Sequence, residues 1–326
     1  SRRRPTGART RWRSPVADRL STALARAHEA LAHFAPELVC KGIWGSPAGK
    51  TLLAQRIVSE IPEHRVYVEP FAGGAAVFFR KPLAPGDNVL GDKDRWNIEL
   101  FNDLRRGRGL EGCGPNGFPA TKAVFERAKK SKTACSKLKQ SMMSFHGDRK
   151  TFFKSNKDTR RIGQQKLRKL PLYGKKLRKA HLVVGDFSKT MRRFDSLDTL
   201  HFLDPPWPLA SGYSEQFYHG GTSAAARAKT STKNDRKAFD PHHVMDVSSK
   251  MKGSVFVIYG DHPDVRAAFV EAKKRGWKIY AQKVTNSSGV GMRKVINLIA
   301  IKPPGALPKR KSASKRKRPR CSGRSC

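Results

Sequence analysis

Short apolar runs recur along much of the chain, each followed by a stretch whose apolar positions return every third or fourth residue. The runs "RVYVEPF", "NVLGD", "HLVVGDF", "TLHFLDPPW" and "SVFVIYGD" are bounded by Gly, Pro or Asp and are too short for buried helices. They read as buried strands. "TLLAQRIVSEIP", "GGAAVFFRK", "RWNIELFNDLR", "HHVMDVSSKMK" and "PDVRAAFVEAKKRG" carry the helical period. Strand, turn and helix in alternation predict an α/β fold with a mostly parallel sheet. The last two runs, "WKIYAQKVT" and "RKVINLIAIK", are separated only by "NSSGVGM". They predict an antiparallel hairpin that closes the sheet.

The alternation breaks once. Residues 105–180 are crowded with Lys and Arg and hold few acids, opening on "GCGPNGFP" and carrying the short helical patterns "KAVFERAKK" and "ACSKLKQSMM". This is a basic, mainly helical insertion. Before the alternation, "SRRRPTGARTRWRSP" has no acid, and Leu20, Leu24, Ala27, Leu31 and Phe34 then trace an amphipathic helix. The expected organisation is a basic arm and helix (1–37), the first half of a catalytic domain (38–104), the insertion (105–180), the second half (181–303) and a basic tail (304–326).

Charge identifies the partner class. Lys and Arg total 67 against 26 Asp and Glu, a net charge of +41. Such an excess favours a polyanion, bound through release of its condensed counterions. No stretch approaches the ~20 apolar residues of a membrane-spanning helix. Within the insertion, Lys139, Arg149, Lys150, Lys154, Arg160 and Arg161 are expected phosphate contacts. Phe145, Phe152 and Phe153 punctuate those runs as base-stacking platforms do. The five cysteines are odd in number and lack CxxC spacing. They read as reduced thiols of an intracellular, reducing compartment, with no metal site. The tail "KRKSASKRKRPR" suits either nuclear import or phosphate binding.

"WGSPAGKT" ends like a phosphate loop, but Gly45 to Gly49 is one residue too short and no clear strand precedes it. "YVEPFAGGAAVFF" is a better nucleotide-like site: a strand, a tight Gly turn and a helix. Asp92 closes the next strand, where an acid meets ribose hydroxyls. In "DPPW", Asp204 leaves an apolar strand, and Pro205-Pro206 stiffens the backbone without adding a donor. Trp207 adds a π-face. Together they can hold an exocyclic amino group with two acceptors while stacking its ring.

In their order and wording these segments resemble the Dam-like DNA adenine methyltransferases over roughly residues 38–302. "WGSPAGKTLLAQRIVSEIPEHRVYVEPFAGG", "VVGDF", "DPPW" and "KVTNSSGVGMRKVINLIAI" carry the likeness. The resemblance implies a Rossmann-like S-adenosyl-L-methionine (AdoMet)-dependent sheet with an inserted target-recognition subdomain. It implies that Trp44 and Lys50 border the methionine end of AdoMet, and that Glu69, Phe71 and Gly73 form the loop beneath it. Asp92 is then at the ribose and Asp186 at the adenine, with Asp204, Pro205, Pro206 and Trp207 at the target base. Three departures stand out: Ala75 where the family has Gly, the added Ser46-Pro47, and Trp in place of Tyr in the tetrapeptide.

The expected activity is methyl transfer to the amino group of adenine in DNA, by base flipping and in-line displacement. The expected molecule is a monomer unless it belongs to a nucleoprotein assembly. The charge and tails also suit a catalytically silent nucleic-acid-binding scaffold, and the acceptor pair suits an RNA or cytosine amino-methyltransferase.

Overall fold

The computed structural model describes residues 42–43, 53–144, 149–152, 163–206, 240–288 and 291–305. Trp44, Lys50, Phe145, Phe153, Lys154, Arg160, Arg161, Trp207, the expected N-terminal helix and the basic tail from residue 306 lie outside them.

Helix α1 (Ala54–Glu60) leads into β1 (Val66–Glu69), α2 (Ala76–Arg80), β2 (Asn88–Asp92) and α3 (Arg95–Arg106). The insertion supplies α4 (Lys122–Lys129), α5 (Ala134–Met143), α6 (Gln164–Leu167) and α7 (Leu170–Leu177). Then follow β3 (His181–Val184), α8 (Phe187–Arg193), β4 (Thr199–Leu203), α9 (Pro241–Ser249), β5 (Ser254–Gly260) and α10 (Pro263–Lys274). The long strands β6 (Lys278–Ser288) and β7 (Gly291–Lys302) complete the fold.

The seven strands lie in the order β3-β2-β1-β4-β5-β7-β6. The first five are parallel, and β7 runs antiparallel to both β5 and β6. This is the Rossmann-like, mostly parallel sheet with a terminal antiparallel hairpin that the resemblance implies. The strand order turns back between β1 and β4, and such switch points open a crevice at the strands' carboxyl ends. The closing hairpin is longer than its sequence suggests, since Asn286, Ser287 and Ser288 pair with Arg293, Met292 and Gly291. Polar residues read as loop are here absorbed into the ladder.

The insertion is anchored to the sheet. Phe118, Phe125, Leu138, Met143 and Tyr173 belong to the same hydrophobic cluster as Phe79, Phe101 and Leu200. Phe79 and Tyr173 meet edge to face, 4.8 Å between centroids. Buried Lys137 of α5 reaches Glu99 of α3 at 3.0 Å. Lys176 of α7 donates to the carbonyls of Phe79 and Lys81, satisfying the end of α2.

Two expectations are corrected here. Phe152 is no stacking platform: it is half-buried, 5.8 Å from the ring of Phe125, against the core. Cys113 and Cys135 are not thiols but a disulfide, their Cα atoms 5.4 Å apart. The fold brings together two residues whose spacing along the chain follows no motif.

Candidate active site

Four adjacent parallel strands each deliver an acid at the carboxyl edge. Glu69 ends β1, Asp92 ends β2, Asp186 stands two residues beyond β3, and Asp204 follows β4 directly. In a chain of net charge +41, this row is the sheet's own acidic edge, and it crosses the switch point between β1 and β4.

The loop after β1 is laced to β2. Ala72 N–H donates to the Gly91 carbonyl at 2.9 Å, and Gly73 N–H to Asp92 Oδ2 at 2.8 Å. Gly91 allows this close approach, because a Cβ there would lie a tight 3.1 Å from Thr190 Cγ2 and 3.3 Å from Pro70 Cα. Gly73 has φ +47° and a Cβ there would meet nothing within 4 Å, so this turn faces open space. Gly185, beside Asp186, faces open space too. Ala75 is left-handed as well (φ 50°, ψ 43°) and fully buried. Alanine thus stands, where the resemblance implies glycine, at a position whose backbone favours one. Gly42 and Ile43 seat against this loop, with Ile43 N–H donating to the Gly74 carbonyl at 3.3 Å.

Asp92 accepts three hydrogen bonds: Gly73 N–H, Asn97 Nδ2 at 2.9 Å, and Asp94 N–H on Oδ1 at 2.8 Å. A carboxylate offers about four acceptor sites, so roughly one remains, on Oδ1. Burial pushes its carboxyl above the ordinary range, against these three donors, which favour the ionised form.

Asp186 caps α8: its Oδ1 accepts from Ser188 N–H, Ser188 Oγ and Lys189 N–H. Among the described residues none donates to Oδ2. Next to it, Phe71 of the Gly loop stacks on Phe187 (centroids 5.0 Å, planes 27° apart). His243 of α9 meets the edge of Phe187. The sequence reading identified Phe71 but neither ring neighbour, and α8 itself was missed.

Glu69 is buried and does not line open space. It accepts from Tyr67 Oη at 2.8 Å and from Phe78 N–H at 3.2 Å. Phe78 is in the first turn of α2, whose cap residue Ala75 supplies no side-chain acceptor. Glu69 therefore closes the start of α2 from the strand. Burial raises its pKa to about 8, with the charge of Asp204 adding to the rise. A proton on Glu69 spares the site two like charges at the switch point. Asp204 and Pro206 are half-buried and Pro205 is buried.

Open space beside two glycines, acceptor capacity on Asp92 and Asp186, and the Phe71–Phe187 stack beside Asp186 suit a nucleoside with hydroxyl and amino donors. Of the expected nucleic-acid contacts, Lys139 rims a cavity of about 230 Å³ with Phe118, Pro119 and exposed Arg127. Lys150 is exposed. Arg149 is engaged within the protein, 2.7 Å from Asp94 and 4.4 Å from the ring of Trp96.

The family model for D12 class N6 adenine-specific DNA methyltransferases matches residues 47–166. That span takes in the Gly loop, Asp92 and most of the insertion, and stops before Asp186 and Asp204. No curated protein matches the chain. Among the described residues no helix is long and apolar enough to cross a membrane.

Proposed function

Because the chain belongs, through residues 47–166, to the D12 class N6 adenine-specific DNA methyltransferases and acts on DNA, we propose that its acidic strand edge binds AdoMet and one flipped adenine. The observation that carries this reading is the order of the row. Asp186 and Asp92 flank the open Gly turns on one side of the switch point, and Asp204-Pro205 stands on the other.

On this reading Asp92 Oδ1 receives a ribose hydroxyl, Asp186 Oδ2 the adenine amino group of the cofactor, and Trp44 and Lys50 border its methionine end. AdoMet, once bound, would supply an electrophilic methyl group on a sulfonium, leaving as the neutral thioether when the nitrogen takes the methyl. Asp204 carboxylate and Pro205 carbonyl accept hydrogen bonds from the two N–H groups of the target adenine's amino group. These bonds draw the nitrogen lone pair out of the ring and hold it at the point of attack. Pro205 and Pro206 keep that carbonyl fixed, having no N–H to rearrange. The duplex hides the amino group, so the base leaves the stack at a cost of about a few kcal/mol and packs on Trp207. The insertion's cations hold the phosphates.

Transfer of a tritiated methyl group to DNA, followed by digestion to nucleosides, tests the reading. Label is expected in N6-methyladenine. Asp204→Ala should abolish transfer and leave AdoMet affinity nearly unchanged. Normal turnover by that variant, or label in another nucleoside, would sink it.

A further inference from the structure

Three features of Arg149 bear on the site. It is non-glycine with φ +63°, a conformation that costs on the order of 1 kcal/mol and persists where surroundings enforce it. Its N–H donates to Ser144 Oγ at 2.8 Å, and Ser144 in turn bridges to Phe152. Its guanidinium leaves the insertion entirely, bonding Asp94 Oδ2 at 2.7 Å and lying over Trp96 at 4.4 Å.

Asp94 is where those contacts converge on the site. Its Oδ1 accepts Trp96 N–H and starts α3, its Oδ2 takes Arg149, and its own N–H donates to Asp92 Oδ1. Asn97, one residue past Trp96, donates to Asp92 Oδ2. Two of the three hydrogen bonds that aim Asp92 thus come from the turn that Arg149 grips from both sides. The ion pair is about a third exposed at each end, so its Coulombic contribution is small. What it adds is orientation.

We propose that Arg149 is a positioning residue that couples DNA engagement by the insertion to cofactor binding at Asp92. The proposal rests on Asp92 being a cofactor ligand. DNA held by the insertion restrains the loop and, through Arg149, the turn at Asp94. AdoMet binding needs that same turn ordered, so each ligand lowers the ordering cost of the other. Linkage makes the effect reciprocal.

The test is calorimetric titration of AdoMet into the full chain, alone and with a saturating mixed-sequence DNA duplex. It is run for wild type, Arg149→Ala, Arg149→Lys and Asp92→Ala, alongside amide hydrogen exchange of each ligand-free protein. Wild type should bind AdoMet roughly five-fold or more tighter with duplex present. Arg149→Ala should lose that enhancement and exchange the amides of Asp94, Trp96 and Asn97 faster, with β1, β4 and β5 protected as before. Arg149→Lys keeps the charge but loses the planar contact with Trp96, so it should recover only part of the enhancement. Wild-type enhancement and exchange in Arg149→Ala overturn the coupling. Unaltered AdoMet affinity in Asp92→Ala overturns the assignment of Asp92, and the coupling with it. A weakened Asp92→Ala beside an unaffected Arg149→Ala overturns the coupling alone.

Discussion

Glu69 Oε2 accepts the backbone N–H of Phe78 at 3.2 Å, so the last residue of β1 caps the helix that follows the Gly loop. That bond survives protonation, and at neutral pH burial keeps the carboxyl largely protonated, its pKa raised to about 8.

The linkage has a definite sign. The folded protein holds the Glu69 proton to about pH 8, whereas the unfolded chain releases it near 4.5. Between those values the unfolded state binds fewer protons, so this group's contribution to stability falls as pH rises, and the loss is complete above pH 8. Glu69→Gln keeps an acceptor for Tyr67 and Phe78 and cannot ionise. Its Tm should match wild type near pH 4.5 and exceed it progressively toward pH 8, by an amount worth a few kcal/mol at most. A Tm difference that does not change with pH contradicts a neutral Glu69.

Ala75 gives a second test of the same loop. It is left-handed and fully buried, and a Cβ in that conformation costs on the order of 1 kcal/mol. Ala75→Gly removes the strain but gives up one buried methyl, worth about 0.8 kcal/mol. The two nearly cancel. Thermal unfolding should show Ala75→Gly within about 1 kcal/mol of wild type and Ala75→Val well below it. A Gly variant as destabilised as the Val variant would mean that the methyl matters more than the backbone.

Much of this architecture is legible in the sequence because its strands are apolar runs ended by Gly, Pro or Asp. The acids at their ends are legible for the same reason: Glu69, Asp92 and Asp204 each close such a run. Asp186 is the instructive case. Read as a ligand, it hid its other role as the cap of α8, and "FSKTMRR" is too polar to announce a helix without that cap. Helix α7 contains Pro171 and Gly174, which sequence rules treat as breakers. Pro171 lies in the first turn, where it is tolerated, and a Cβ at Gly174 would lie 2.8 Å from the Leu104 carbonyl. Contacts between distant residues leave no periodic trace, which is why Cys113–Cys135 and Arg149–Asp94 emerge only from the fold.

The disulfide predicts a redox-dependent stability. It joins buried residues 22 positions apart, a loop whose closure is worth about 3 kcal/mol on a chain-entropy basis. Dithiothreitol should lower the wild-type Tm, while the Cys113→Ser/Cys135→Ser double variant should start lower and ignore the reductant. A wild-type Tm indifferent to reductant would show that the bridge contributes nothing to stability.

The same bridge stands beside the cavity rimmed by Arg127 and Lys139, and that rim allows the insertion's role to be measured. Arg127 is exposed on α4, Lys139 is half-buried on α5 with its ammonium 5.8 Å from the ring of Phe118, and Gly112 and Gly117 line the space between. Two cations converging on one concavity are placed to meet neighbouring phosphates. Each phosphate contact releases condensed counterions, which steepens the fall of affinity with salt by roughly 0.9 per contact on a log–log plot. Arg127→Gln/Lys139→Gln should therefore weaken binding to any duplex and reduce that slope by roughly one to two. AdoMet affinity without DNA should not change, because neither side chain belongs to the strand edge. If affinity falls while the slope is unchanged, these residues act on the fold of the insertion and not on phosphate. If the slope falls only for sequences that are methylated, they read bases.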